Sequence, residues 1–313
     1  MFDADVALAA DTPSADSTPS VAGDSTPNPA GDTARPSHPK IKSLPADVKL
    51  PNYAPGPMPF RDGERLTFQA SWLGIPAADA QIVLHQDPHN PDLWTAEAWI
   101  NTNRAVDLVY KMRDYLREDF SRGDFAPHTM YVRQHEANRR DEFTVTFDRS
   151  NQLVTMRKVG PRGVKIQQFR ATNPWGMASG AAMALSQPLT DGSSFIFDVF
   201  SATSRYVLDF AVTGHEHLDT AVGPFEAVKI EPSVVWMSDK SMRDWARETI
   251  VWISADSRRL PLRIDAAIFI GTVRVDLVKV EEPGKPDLPL PAAPAPSAAE
   301  QPSSASGSAG DGK

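Results

Sequence analysis

Apolar and polar residues alternate along most of the middle of the chain. Apolar side chains occupy every second position at residues 66–72, 78–84, 94–100 and 260–268. Strict alternation over four to eight residues, interrupted by Gly, Pro or Asn, is typical of half-buried strands in antiparallel meanders. About eleven such segments can be counted between residues 60 and 281.

One segment has the composition of a helix. Residues 179–187 are rich in Ala and Met and end at Pro188, where a helix is expected to stop. Strand–helix–strand alternation is missing, which disfavours a doubly wound fold. A half-apolar antiparallel sheet of this size must close or curl to hide its apolar face. The sequence therefore predicts an all-β, mainly β fold: an antiparallel curled sheet or β-barrel with one short Ala/Met-rich helix in or over its mouth.

Prolines mark the limits of the folded part. Of 28 prolines, 11 fall in residues 1–59 and 7 in residues 282–313, where most other residues are small or polar. All seven Trp lie between residues 60 and 281. Because Pro/Ala-rich segments cannot bury enough surface to offset chain entropy, we expect a disordered N-terminal tail over 1–59. A single β-barrel-like domain is expected over 60–281, and a disordered C-terminal tail over 282–313.

The first residues contain a short run typical of the end of a secretory signal peptide. Residues 6–10 are apolar or small and precede Asp11. A charged leading region is missing, and Asp3 and Asp5 stand where an apolar core is expected. Two alternatives stay open: a signal-peptide remnant whose start lies upstream, or an accidental likeness.

Composition excludes several classes of function. Without cysteine, the chain has no disulfide scaffold, thiol nucleophile or cysteine zinc site. The net charge of -8, without a basic block, argues against a nucleic-acid partner. No run reaches the roughly 18 apolar residues that a membrane-spanning helix needs. Phosphate-binding loops and nucleophile elbows are also missing, so no cofactor is expected.

Several motifs occur in the order found in one known family. They are Gly63–Phe68, Ser71–Ala77, Tyr110–Asp114, Val145–Asp148, Gly223–Phe225, Trp252–Asp256 and Leu260–Leu262. Together they resemble the exported bacterial family called domain of unknown function 3108. The resemblance implies a β-rich fold and an envelope or periplasmic location, and it implies no established activity.

The expected barrel size suggests a use for its interior. An eight-stranded barrel fills itself or holds one small ligand, and a larger one leaves space that the helix or a bound apolar molecule must occupy. Five aromatic or Met residues are the candidates for lining this interior: Phe68, Trp72, Met177, Phe197 and Trp252. They form either ordinary core or a wall that contacts lipid, a surface that Met and aromatic side chains suit.

Two other clusters contain side chains of types that can carry chemistry. His215 and His217 point the same way on a strand and could share a metal with Glu226 or Glu231. The alternative, a solvated hairpin, is the expectation, so no metal site is predicted. Four carboxylates are interleaved with Arg113, Arg117 and Arg122: Asp114, Glu118, Asp119 and Asp124. Nearly equal numbers of opposite charges predict a neutralised outer face rather than a glycosidase pair.

Three functional hypotheses follow. The first is a non-enzymatic periplasmic protein that binds a hydrophobic ligand or lipid. The second is a structural or protein-interaction module of the cell envelope with a self-filled barrel. The third is a hydrolase without a recognisable motif, because such sites can form by tertiary convergence. Interior volume distinguishes the first two, since ligand pockets typically measure about 300–1,000 Å3.

Overall fold

A computed structural model of the protein describes residues 39–239, 249–267 and 271–284, together with residue 293. Within them, sixteen strands form one sheet. The first nine are β1 (Ile41–Lys42), β2 (Glu64–Trp72), β3 (Ile75–Gln86), β4 (Leu93–Thr102), β5 (Arg113–Ser121), β6 (Pro127–Glu136), β7 (Arg139–Asp148), β8 (Leu153–Gly160) and β9 (Gly163–Arg170). The others are β10 (Pro174–Trp175), β11 (Ser194–Phe200), β12 (Arg205–Thr220), β13 (Gly223–Met237), β14 (Thr249–Ser254), β15 (Pro261–Ala267) and β16 (Thr272–Glu281). The α-helix α1 (Met177–Ser186) lies between β10 and β11, and a 3-10 helix (Val106–Leu108) lies between β4 and β5.

The sheet consists of two antiparallel meanders placed side by side. Strands β2 to β9 pair in sequence order, and so do β11 to β16. The meanders join where β16 pairs antiparallel with β2. The two-residue strands β1 and β10 pair parallel with β9 and β11 and form the sheet edges.

The sheet curls until its two ends meet through side chains. Helix α1 packs on both β5 and β11, which lie far apart in the strand order. The Phe169 ring of β9 lies 5.6 Å from the Phe200 ring of β11. Arg205 of β12 donates a hydrogen bond to the carbonyl of Arg170 at 3.0 Å. We call the line along which the two sheet ends meet the seam. Side chains close it, and the described end strands share no backbone hydrogen-bond ladder.

The largest core cluster lies around α1. It joins the helix residues Ala182 and Met183 to Leu84 and Phe120 of the first meander and Phe197 of the second. A second cluster packs the inner side of β6 to β9 against the end of β11 and the residues that follow it. We call the side of the sheet that faces α1 the inner face.

The predicted all-β class, with its curled antiparallel sheet and single short helix, is confirmed. The number of strands is sixteen among the described residues, rather than about eleven. Alternation missed five strands. The edge strands β1 and β10 have only two residues each, and β9 is largely polar and exposed. In β5 and β8, charged residues interrupt the apolar period. The helix begins at Met177, two residues before its predicted start.

Part of the segment assigned to the N-terminal tail lies against the domain. Ile41 and Lys42 form β1, and Tyr53 and Met58 pack on the cluster around α1. The Tyr53 hydroxyl oxygen accepts a hydrogen bond from the Ile196 backbone N–H at 2.8 Å. The predictions for residues 1–38, including the signal-peptide remnant, and for residues 285–292 and 294–313 lie outside the described residues.

Candidate functional site

A buried carboxylate holds the N-terminus of α1. Ala178 and Ser179 donate their backbone N–H groups to Glu118 of β5, at 2.7 and 3.1 Å. The first N–H groups of a helix have no helical acceptor, and the helix dipole favours a negative charge at this end. Burial raises the pKa of Glu118, while its hydrogen bonds to the helix act in the opposite direction. Strand β5 thereby fixes the position of α1 inside the sheet.

A glycine makes this approach possible. Gly176 precedes α1, and its N–H donates to the Ser179 hydroxyl at 2.9 Å. A Cβ at position 176 would overlap the carboxyl group of Glu118. Glycine therefore lets the carboxylate lie directly against the first turn of the helix.

The helix covers only part of the inner face. Leu84 and Ala96 form a cross-strand pair that is buried in the cluster around α1. The next row on the same face contains Ile82, Ala98 and Leu116, paired across β3, β4 and β5. Ile82 is 37% exposed, and its two row neighbours are partly exposed. Apolar side chains beyond α1 therefore remain accessible.

Accessible apolar side chains occur on both sides of the junction of the two meanders. At the junction, Ala70 pairs with Val275 and Ala78, and all three are buried. The next pair along, Trp72 with Val273, is accessible. We call the partly or fully accessible apolar side chains of this inner surface the apolar trough. They are Trp72, Ala80, Ile82, Ala98, Ile100, Leu116, Val251, Ile264 and Val273.

A carboxyl pair lies on the same face as the apolar trough. Asp114 accepts the His135 backbone N–H at 2.9 Å, and the Tyr110 hydroxyl donates to Glu136 at 3.0 Å. Burial, followed by the neighbouring charge of Glu136, raises the pKa of Asp114 to about 7. Gln134 is buried on the adjacent strand, and its carboxamide oxygen has no hydrogen-bond partner in the described structure. Asp114 can therefore take up or release a proton near neutral pH.

Four of the five predicted lining residues are placed near the interior, in different settings. Phe68 is buried on the inner face of β2, and Trp72, on the same face, is exposed where the strand ends. Phe197 is buried in the core cluster beside Tyr53, with ring centroids 5.1 Å apart. Met177 begins α1 and packs on the second core cluster. Of these four, only Trp72 belongs to the apolar trough.

Trp252 lies on the other face of the sheet. Its neighbours Val251 and Ile253 face the cluster around α1, so the intervening side chain points away from it. The indole N–H of Trp252 donates to the carboxylate of Glu216. This residue therefore does not line the apolar trough.

The two candidate histidines have separate acidic partners. His215 lies 2.8 Å from Asp191, and His217 lies 3.0 Å from Glu226. The hydrogen bond to Glu226 raises the pKa of His217. Glu231 pairs with a lysine on its own strand. Among the described residues there is no group of three or more side chains placed to hold a metal ion.

The crowded carboxylates divide between the two faces of β5. Asp119 pairs with Arg117 at 3.1 Å, and Asp124 pairs with Arg149, as expected of a neutralised surface. Asp114 and Glu118 share the inner face instead. Sequence reasoning missed their role, although the alternation of β5 contained the signal: they have the same parity as its buried Phe120.

Comparison with known proteins gives a family and a fold. The profile of a family described as "Protein of unknown function (DUF3108)" matches residues 67–278. The curated proteins gave no match. No helix in the described ranges has the length and apolar character to cross a membrane.

Three solved structures are similar to this chain. A β-barrel-like protein of the domain of unknown function DUF1849 from Brucella abortus has a TM-score of 0.48 and 9% identity, covering 70% of this chain and 96% of its own. An exported protein with a YmcC-like fold from Bacteroides fragilis has a TM-score of 0.34 and 9% identity, covering 74% and 100%. A lipoprotein from Parabacteroides distasonis has a TM-score of 0.33 and 8% identity, also covering 74% and 100%.

Proposed function

The chain belongs to the DUF3108 family, as its motifs indicated, and we propose that its domain binds a lipid or another apolar molecule in the apolar trough. One observation carries the proposal. Apolar side chains on the inner face, Ile82 foremost, stay accessible beside an interior that α1 fills elsewhere. A concave, mostly apolar surface with a few polar groups at one side is the usual form of a small-molecule site.

The chemistry of the trough suits a flexible chain. Its walls are aliphatic except for Trp72, and each methylene that leaves water contributes about 0.8 kcal/mol. The carboxyl pair Asp114 and Glu136 supplies polar atoms on the same face. An amphiphile with an alkyl chain in the trough therefore fits better than a polar metabolite.

Native mass spectrometry of the full chain, purified from a bacterial periplasm, tests the proposal. We expect a discrete added mass that organic extraction recovers as lipid. A bare polypeptide mass that persists after incubation with envelope lipids, and without binding of an apolar fluorescent probe, would overturn it.

A matched pair of variants localises the site. Ile82→Gln places an amide in the trough, and we expect about tenfold weaker binding of a fluorescent fatty acid, because a desolvated amide costs at least 1–2 kcal/mol. Ile166→Gln makes the same change at a 46% exposed isoleucine on the outer face of β9. Equal loss of binding in both variants would contradict a site on the inner face.

A structural envelope module is the second candidate, and α1 favours it. The helix is anchored by Glu118 and already fills the interior beside Leu84 and Phe197. If this filling extended to the trough, no ligand would bind and the domain would serve as a scaffold for protein contacts. The mass measurement above distinguishes the two functions.

We place the binding function, without catalysis, in the bacterial periplasm. The support is the exported character of the family that the motifs resemble. Fractionation of the source bacterium followed by immunoblotting tests the location. The chain is expected in the periplasmic or envelope fraction, and recovery with cytoplasmic markers would contradict this part of the proposal.

A further inference from the structure

Exposed apolar side chains gather at one end of the sheet. Ten large apolar residues are exposed in the described ranges, and five of them lie in, or directly beside, two neighbouring connections. We call these five the apolar rim: Trp72, Leu73, Ile75, Leu108 and Val109. Leu108 and Val109 are each 89% exposed, far more than adjacent apolar side chains in a folded loop normally are.

The two connections touch each other. The Asn103 backbone N–H donates to the carbonyl of Ala77 at 2.9 Å, and its side chain donates to the carbonyl of Pro76. The β4–β5 loop therefore lies beside the β2–β3 turn that carries Leu73 and Ile75. Trp72 belongs both to the apolar rim and to the apolar trough, so the rim lies at an end of the trough.

The β4–β5 loop is held in shape with its apolar side chains outward. Asn103 Oδ1 accepts the backbone N–H groups of Ala105 and Val106, each at 3.0 Å. Arg113 makes two hydrogen bonds to Asp107, at 2.5 and 3.0 Å. Because this network fixes the loop from both ends, Leu108 and Val109 are presented to the outside at little further cost in conformational entropy.

The exposed charges that flank Leu108 and Val109 are positive. Arg104 and Lys111 flank the two most exposed apolar residues and are themselves exposed. Asp107, the acidic residue of the loop, is neutralised by Arg113. Apolar tips between basic side chains match an anionic bilayer, where apolar groups enter the acyl boundary and cations meet phosphate. An indole at the same level suits the interface region.

We propose that the apolar rim docks the protein on an anionic phospholipid bilayer. Two narrow projecting turns fit the soft interface of a bilayer better than the flat, shape-complementary patch that binds a protein. Docking sets the end of the apolar trough against lipid, a consequence that rests on the proposed function. Docking itself depends only on the rim and its two basic residues.

Vesicle flotation of the full chain is the test. At low salt we expect binding to vesicles of phosphatidylglycerol and phosphatidylethanolamine, and weak binding to phosphatidylcholine. Leu108→Ser with Val109→Ser is expected to weaken binding by a factor of ten or more, about the effect of losing one buried aliphatic side chain. The matched control, Val164→Ser with Ile166→Ser, alters two exposed apolar residues of β9 and is expected to change binding less than twofold.

A charge variant and one trough variant complete the design. Arg104→Ala with Lys111→Ala is expected to remove the preference for anionic vesicles, and salt is expected to do the same. Ile82→Gln, which alters the apolar trough, is expected to leave flotation unchanged. Loss of ligand binding in the trough and loss of docking by the rim can therefore be told apart. Docking is overturned if the full chain does not float, or if the rim variant floats like the control. A rim variant that instead converts a dimer to a monomer in sedimentation would assign the rim to self-association.

Discussion

At the scale of single residues, the contact between Gly176 and Glu118 fixes where α1 lies and therefore which part of the interior it fills. Gly176→Ala would place a methyl group on the buried carboxylate, which cannot retreat without leaving the helix N–H groups. We expect a loss of about 1–3 kcal/mol in the free energy of unfolding, measured by urea denaturation. Gly123→Ala is the control, because open space surrounds that position and the change should stay within about 0.5 kcal/mol.

Asp114 gives the protein a pH dependence with a definite sign. Its folded pKa, raised to about 7 mainly by burial, exceeds its unfolded value, so the folded state binds the proton more tightly. The contribution of Asp114 to stability is therefore greatest at acidic pH and falls as the pH rises through the window from about 4 to about 7, by up to roughly 1.4 kcal/mol per unit. Asp114→Asn should flatten this slope in urea unfolding measured between pH 5 and pH 8.

Asp148 provides the contrasting control. Its turn hydrogen bonds, first the one from Asn151, lower its pKa, so its contribution is present at neutral pH and is lost as the pH falls toward the acid range. Asp148→Asn should leave the slope between pH 5 and pH 8 unchanged. If the wild type instead gains stability relative to Asp114→Asn as the pH rises across that window, Asp114 titrates in the opposite sense.

At the scale of elements, a buried ion pair between β11 and β12 holds Arg205, the residue whose side chain reaches across the seam to Arg170. Arg205 donates to both oxygens of Asp198, each at 2.7 Å, and its guanidinium lies 5.1 Å from the centre of the Phe200 ring. Arg205→Met leaves the carboxylate buried and unpaired, and we expect a loss of about 3–5 kcal/mol in unfolding free energy. The double variant Arg205→Met with Asp198→Leu should recover much of it, since both charges are then gone.

The control for the seam is an exposed pair. Arg274 makes two hydrogen bonds to Asp265, in the same geometry but at the surface. Arg274→Met should cost no more than about 1 kcal/mol, because solvent already screens that pair. Equal losses at positions 205 and 274 would mean that the buried pair beside the seam contributes no more than a surface pair.

Alternation in the sequence predicts strands that have one buried and one exposed face. It does not predict strands in which the two faces have similar polarity. Strand β2 alternates between buried and exposed side chains, whereas Val164 and Ile166 of β9 point outward among polar neighbours. Trp252 sits in the continuous apolar run Ile250–Ile253, which has no parity to reveal its face. The role of Glu118 required knowledge of where α1 lies, a contact between distant segments that no local pattern specifies.

At the scale of the whole molecule, the interior has two zones. Helix α1, anchored on β5, fills one zone together with residues of both meanders. The other zone, the apolar trough, continues to Trp72 at the apolar rim. The proposed docking at the apolar rim and the proposed binding in the apolar trough are therefore compatible with a carrier or sensor of membrane lipid.

The division into zones predicts opposite results for one substitution at two neighbouring positions. Ala96 and Ala98 lie on the same face of β4, but Ala96 is buried under α1 and Ala98 is partly exposed in the trough. Ala96→Phe should overpack the filled zone and lower the free energy of unfolding by about 1–3 kcal/mol. Ala98→Phe should keep or raise stability, because its ring covers apolar surface, and should reduce fatty-acid probe binding to about a tenth or less. If both variants lose stability equally and the wild type does not bind the probe, the interior is filled throughout and the domain is a scaffold. If Ala96→Phe lowers stability, Ala98→Phe does not, and Ala98→Phe loses probe binding, the ligand lies in the trough.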